Sequence, residues 1–157
     1  MAAHVRVSGM PVRAGVISAL ALATAAGTMM IPGGTAEAQA ASASAKALRI
    51  AASKKGAPYQ YGATGPYRFD CSGLTLYSFK RAGKKLPRTA ASQYNRTRHV
   101  PASSRARGDL VFFYSRGGIY HVGIYAGSGR IWHAPKTGDV VRLQKIWTRS
   151  VLYGRVR

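Results

Sequence analysis

The chain is poor in three things at once: among 157 residues it has one cysteine, four acidic residues and four histidines. The lone cysteine, Cys71, excludes an internal disulfide, and in an oxidising compartment it is open to damage unless its reactivity is used. It is therefore a candidate nucleophile, with a buried small hydrophobe as the plain alternative. Acid is outnumbered by 24 lysines and arginines, for a net charge of +20 with histidines neutral. Such a field draws a protein toward polyanions and weakens with salt. Nucleic acid is not the expected partner, because the basic residues are dispersed and neither zinc-finger spacing nor an RNA-binding signature occurs. Extracellular polyanions and a merely solubilising surface stand as equal readings.

What is present begins with a leader pattern. Arg6 and Arg13 form a short basic start, an apolar run extends from Ala14 to Ile31, and small residues follow in Ala36-Glu37-Ala38-Gln39-Ala40. This is the layout of a secretory signal peptide, with Ala38-x-Ala40 as the cleavage pattern. The apolar run approaches the roughly 18 to 20 residues that cross a bilayer. Gly27, Pro32 and Gly33-Gly34 weaken that alternative, and a lipoprotein would need its cysteine at the cleavage point. Residues 1–40 are thus expected to be removed, leaving no stable membrane span. Residues 41–157 form one secreted domain, expected to be monomeric and large enough for a single core. In it 22 basic residues face only Asp70, Asp109 and Asp139. Asp109 opens a hydrophobic strand and Asp139 follows the Thr137-Gly138 turn, so both look structural.

Along this domain, residues 41–44 read as a flexible Ala/Ser tail and 45–55 as a short helix ended by Gly56 and Pro58. A Tyr-, Gly- and Pro-rich loop reaches Phe69. A second helix is expected from Cys71 to Ala82, capped by Asp70 and ended by Gly83. The second half changes period: 109–114, 119–126, 130–134, 140–143 and 151–156 are short, β-branched and aromatic, and divided by Gly-containing turns. Helices first and about five antiparallel strands afterwards define an α+β domain with the helices packed on a sheet.

A thiol in the first helical turn meets the positive end of the macrodipole and unpaired N–H groups, which favour thiolate and could also receive an oxyanion. Asp70 opposes this mildly. The base must come from His99, His121 or His133. His99 lies in a polar connection and reads as merely exposed. His121 and His133 lie on successive strands. A three-residue loop at Gly127-Ser128-Gly129 sets Gly123 opposite His133 and puts both imidazoles on one face, whereas a two-residue loop at Ser128-Gly129 would separate them. On one face, one imidazole could orient the other. With no third strong ligand at suitable spacing, neither zinc nor another cofactor is expected.

Five blocks in this order resemble the NlpC-type cell-wall peptidases: Phe69-Asp70-Cys71-Ser72-Gly73-Leu74, Leu86-Pro87-Arg88-Thr89-Ala90, Gly108-Asp109-Leu110-Val111-Phe112-Phe113, His121-Val122-Gly123-Ile124-Tyr125 and His133-Ala134-Pro135. The resemblance covers nearly all of residues 41–157. It implies a papain-like fold and hydrolysis of peptidoglycan stem peptides, commonly between γ-linked D-glutamate and a diamino acid. It further implies Cys71 as nucleophile, His121 as general base and acid, His133 as the residue orienting His121, and Tyr59 as a group polarising the carbonyl. Asp70 and Ser72 match positions lining the substrate cleft; a helix cap and a first-turn hydroxyl account for them equally well.

Tyr61 and Ala63 depart from the family pattern, which usually has tryptophan and glycine there. No separate wall-binding module is visible, so the dispersed positive charge is expected to supply affinity for anionic wall polymers. Two other classes stand as alternatives. A non-catalytic wall-binding module would show no unusual thiol reactivity. An acyltransferase or lipid hydrolase on a permuted fold would place histidine before cysteine, the reverse of the order here.

Overall fold

The computed structural model describes residues 32–157, with side chains from residue 35. Most of the expected leader lies outside the described residues. Helix α1 spans Pro32–Ser53, α2 Cys71–Arg81 and α3 Ala90–Arg96. The strands are β1 (Arg98–Val100), β2 (Leu110–Ser115), β3 (Gly118–Gly127), β4 (Arg130–His133), β5 (Arg142–Lys145) and β6 (Val151–Arg155). No described helix is long and apolar enough to cross a membrane.

Residues 41–44 are helical, where a flexible tail was expected. Ala43, Ser44, Ala47, Leu48 and Ala51 form a buried stripe at helical spacing. Alanine is the strongest helix former, and small side chains let α1 lie close to its neighbours. The approach is tightest at Gly108, where a Cβ would lie 2.6 Å from the Ser44 carbonyl oxygen.

Helix α2 begins as expected. The Asp70 carboxylate accepts a hydrogen bond of 2.7 Å from the Gly73 N–H, capping the helix start. Leu74 and Phe79 are fully buried beneath it. Helix α3 was not expected. Thr89 caps it by accepting from the Ser92 N–H, and the helix turns Gln93 into the interior. There the Gln93 amide donates to the carbonyls of Ser72 and Pro87, while its oxygen accepts from the Thr75 hydroxyl. A buried amide so engaged ties α3 to the start of α2.

The sheet has six antiparallel strands in the order β1-β6-β2-β3-β4-β5. The expected meander accounts for β2 through β5. β6 instead returns to pair with the free side of β2, and the short β1 adds beyond it. Alternation along β2 divides the interior. Leu110 and Phe112 join the helices and Val122 and Ile124 in one core, while Val111 and Phe113 join Tyr125, Ile131 and Tyr153 in another. Asp109 is buried and paired through both oxygens with Arg155, at 2.7 and 2.8 Å, joining β6 to the start of β2. This is the structural role read from the sequence.

The hairpin between β3 and β4 keeps the expected register by a different device. Gly127 pairs with Arg130, so the turn is the two-residue Ser128-Gly129, both at positive φ. A bulge between Tyr125 and Gly127 then shifts the register back, setting Tyr125 opposite Ile131 and Ile124 opposite Trp132. Gly123 consequently stands beside His133, as the three-residue loop would have placed it.

Candidate active site

Two groups of polar side chains meet where the start of α2 approaches β3. The first surrounds Asp70. Besides capping α2, its carboxylate accepts from the Gly62 N–H at 2.8 Å and from both terminal nitrogens of Arg88, Nη1 at 3.1 Å from Oδ1 and Nη2 in close contact with Oδ2. Arg88 Nη1 also donates to the Ser72 hydroxyl at 2.8 Å. The carboxylate is buried, and the guanidinium in bidentate contact satisfies both of its oxygens. Gly73 is required by close approach: a Cβ there would lie 2.0 Å from the Ala63 carbonyl oxygen. The phenol of Tyr59 is held above its ordinary pKa by burial and then by the negative charge available at Cys71 and Asp70. At neutral pH it is a proton donor.

Cys71 occupies the first position of α2, half-buried against the helix-side core. Its thiol is pushed above the ordinary cysteine pKa, first by burial and then by Asp70. Hydrogen bonds with the backbone of Val122 and Ser72 and with the Ser72 side chain act in the opposite direction without prevailing. Burial and the Asp70 charge thus outweigh the local hydrogen-bond donors, and the thiol rests protonated. The thiol needs a base to take its proton.

The second group lies along β3, β4 and β5. His121 immediately precedes Val122, whose backbone the thiol touches. His121 Nε2 is 2.8 Å from His133 Nδ1, and His133 Nε2 is 3.0 Å from Gln144 Oε1. Burial drives the His121 pKa down to about 3, with His133 adding to the effect, and burial drives His133 down to about 4. Both imidazoles are neutral at pH 7. Trp147 flanks the pair, its ring centroid 5.7 Å from that of His121 and 5.5 Å from that of His133, and stacks on Phe113 at 4.1 Å. Gly123 leaves the space for His133: a Cβ there would lie 3.2 Å from His133 Cβ.

Of the sequence candidates, Tyr59, Asp70, Cys71 and Ser72 thus gather around the start of α2, and His121 and His133 form a hydrogen-bonded pair. His99 stands apart, exposed and stacked on Tyr94. Among the described residues no three His, Cys, Asp or Glu side chains converge as a metal site. The sequence pattern alone does not mark Arg88, Gln144 or Trp147. For Arg88, the burial of Asp70 that calls for a cation is set by packing. Gln144 lay beyond the expected strand 140–143, and only the later strand boundaries put it beside His133.

A thiol at a helix start on an α+β scaffold, with a neutral imidazole pair on the adjoining strands, is the layout of a papain-like cysteine peptidase. Residues 56–153 match the model of the NlpC/P60 family, and the chain belongs to it. It is 41% identical over 122 residues to the peptidoglycan endopeptidase RipA of Mycobacterium tuberculosis, covering 69% of this chain and 26% of that protein. It is 48% identical over 102 residues to a Corynebacterium glutamicum protein named "Probable endopeptidase", covering 63% of this chain and 47% of the other. The solved peptidoglycan hydrolase RipB of M. tuberculosis superposes with a TM-score of 0.68 at 33% identity, covering 76% of this chain and 67% of that one. The chain thus spans about half or less of the length of the curated relatives it matches.

Proposed function

We propose that the chain is an exported cysteine endopeptidase that hydrolyses peptidoglycan stem peptides at the bond between γ-linked D-glutamate and a diamino acid. The observation that carries this reading is the 2.8 Å hydrogen bond between two buried imidazoles, His121 Nε2 and His133 Nδ1, on the sheet against which α2 packs with Cys71 at its start. A neutral imidazole accepts a proton, and a buried thiol gives one up only to such a partner.

In this mechanism His121 takes the Cys71 proton as sulfur attacks the peptide carbonyl carbon. The oxyanion is received by the Cys71 N–H at the helix start and by the Tyr59 hydroxyl. Protonated His121 then gives its proton to the departing amine, leaving a thioester on Cys71. Water, deprotonated by the same imidazole, attacks the thioester and frees the carboxylate and the thiol. His133 holds the His121 ring in place. Asp70 and Ser72 receive the amine of the stem peptide, with Arg88 fixing the carboxylate. The leader at 1–40 directs export, and the cationic surface attracts anionic wall polymers.

The test is incubation with purified peptidoglycan and identification of released fragments by mass spectrometry. Wild type is expected to release fragments ending in γ-D-glutamate. Cys71→Ala and Cys71→Ser should fold and release none, His121→Ala should lose about 10²- to 10⁴-fold as general bases do, and His133→Ala should lose less. Activity retained in both cysteine variants would refute the assignment.

A further inference from the structure

The histidine pair is the inner end of a longer chain of hydrogen bonds. β5 pairs with β4 so that Ile131 faces Gln144 and His133 faces Arg142. Side chains two apart share a face, so Arg142 and Gln144 lie on the face that carries His133. The Gln144 oxygen is 3.0 Å from His133 Nε2 and accepts at 3.0 Å from Arg142 Nε. Arg142 is in turn held by Asp139, whose Oδ1 accepts from Nη1 at 2.8 Å and from the Val140 N–H at 2.9 Å.

The donors in this chain settle the direction of every proton. A guanidinium has no acceptor, so the group that Gln144 turns toward Arg142 is its oxygen. The same oxygen faces His133 Nε2, which must then carry the hydrogen. His133 is neutral, so its Nδ1 is a bare lone pair, and the His121 Nε2 lying 2.8 Å away must be the donor. His121 is neutral as well, and its remaining nitrogen, Nδ1, is left unprotonated and available as a base.

We propose that Gln144 is a positioning residue that sets the tautomers of His133 and His121, and that Arg142, anchored by Asp139, determines which end of the Gln144 amide faces His133. This rests on His121 being the base of the proposed reaction. Without Arg142 the amide is free to turn its NH2 toward His133, which moves the His133 hydrogen to Nδ1 and reverses the polarity of the pair. A glutamate at 144 has two acceptor oxygens and needs no such restraint.

The test uses two readouts. Long-range proton–nitrogen NMR on the Cys71→Ala protein at neutral pH reports the tautomers without any turnover: both imidazoles should be Nε2–H, and Arg142→Met should shift His133 toward Nδ1–H. In the active protein, Arg142→Met should lower kcat/KM about tenfold, the scale of an orienting partner. The double variant Arg142→Met/Gln144→Glu should recover to within a few-fold of wild type. A double variant as slow as Arg142→Met alone, or a His133 carrying its hydrogen on Nδ1 in the otherwise native protein, would overturn the proposal. If the native protein cleaves no peptidoglycan, the functional reading fails while the NMR result still decides the tautomers.

Discussion

Histidines 121 and 133 are buried without charge, and that choice has a measurable consequence for folding. In the unfolded chain each titrates near 6.5; in the fold they are driven down to about 3 and about 4. Between these values and 6.5 the unfolded state binds more protons, so stability is complete above about 6.5 and is lost as the pH falls toward 4. The urea midpoint is therefore expected to drop steadily across that window. A His121→Gln/His133→Gln protein, in which neither residue can be protonated, should show a visibly flatter dependence; an unchanged slope would mean that other groups dominate acid sensitivity. Cys71 and the two histidines were legible in the sequence because each is a scarce residue type whose chemistry is its own. Arg88 and Gln144 were not, since what distinguishes them is contact: one is a common cation and the other a common amide until the fold sets them against Asp70 and His133. The helix start that favours thiolate at Cys71 is visible in sequence, whereas the burial that pushes its pKa up depends on packing.

The β3–β4 hairpin shows how an element can deliver the expected result by an unexpected route. Loop length alone does not set this register, since the two-residue turn by itself would separate the imidazoles. The bulge between Tyr125 and Gly127 restores the phase, and bulges carry little signal beyond a glycine. The same hairpin places Gly123 where a side chain has no room: a Cβ would lie 2.8 Å from Ile131 Cδ1 and 3.0 Å from the Trp132 carbonyl oxygen. Gly123→Ala should cost about 1–3 kcal/mol through overpacking, read as a lower melting temperature. It should also push His133 away from Gln144 and reduce peptidoglycan hydrolysis. Equal stability and activity would show that the hairpin relaxes around the methyl group. Among the helices, α2 is legible from its cap and periodicity; the start of α1 is not, because an alanine- and serine-rich run has the composition of a tail; α3 is not, because seven residues hold too little periodicity.

For the whole molecule, the excess of cations is the property that acts at longest range. Lys84, Arg107 and Arg157 line one cleft beside α1, where Arg155 is committed to Asp109 and Arg98 lies 3.8 Å from Glu37. If this charge provides affinity for anionic wall polymers, binding to purified walls should fall steadily as salt rises and the screening length shrinks from about 10 Å at 0.1 M to about 3 Å at 1 M. Binding indifferent to ionic strength would remove electrostatics as the source. The class of fold was legible because helices precede strands, but the strand order was not, since nothing local to residues 151–155 says that they enter the sheet between β1 and β2. That placement links the two ends of the domain in time. A strand that must slot between two others leaves β2 with one bare edge, and β1 with no partner, until residue 155 is free to join them. The sheet is therefore completed by its last-made strand, so a chain cut short before residue 151 would keep every residue of the site and still lack the strand that holds β1 to β2.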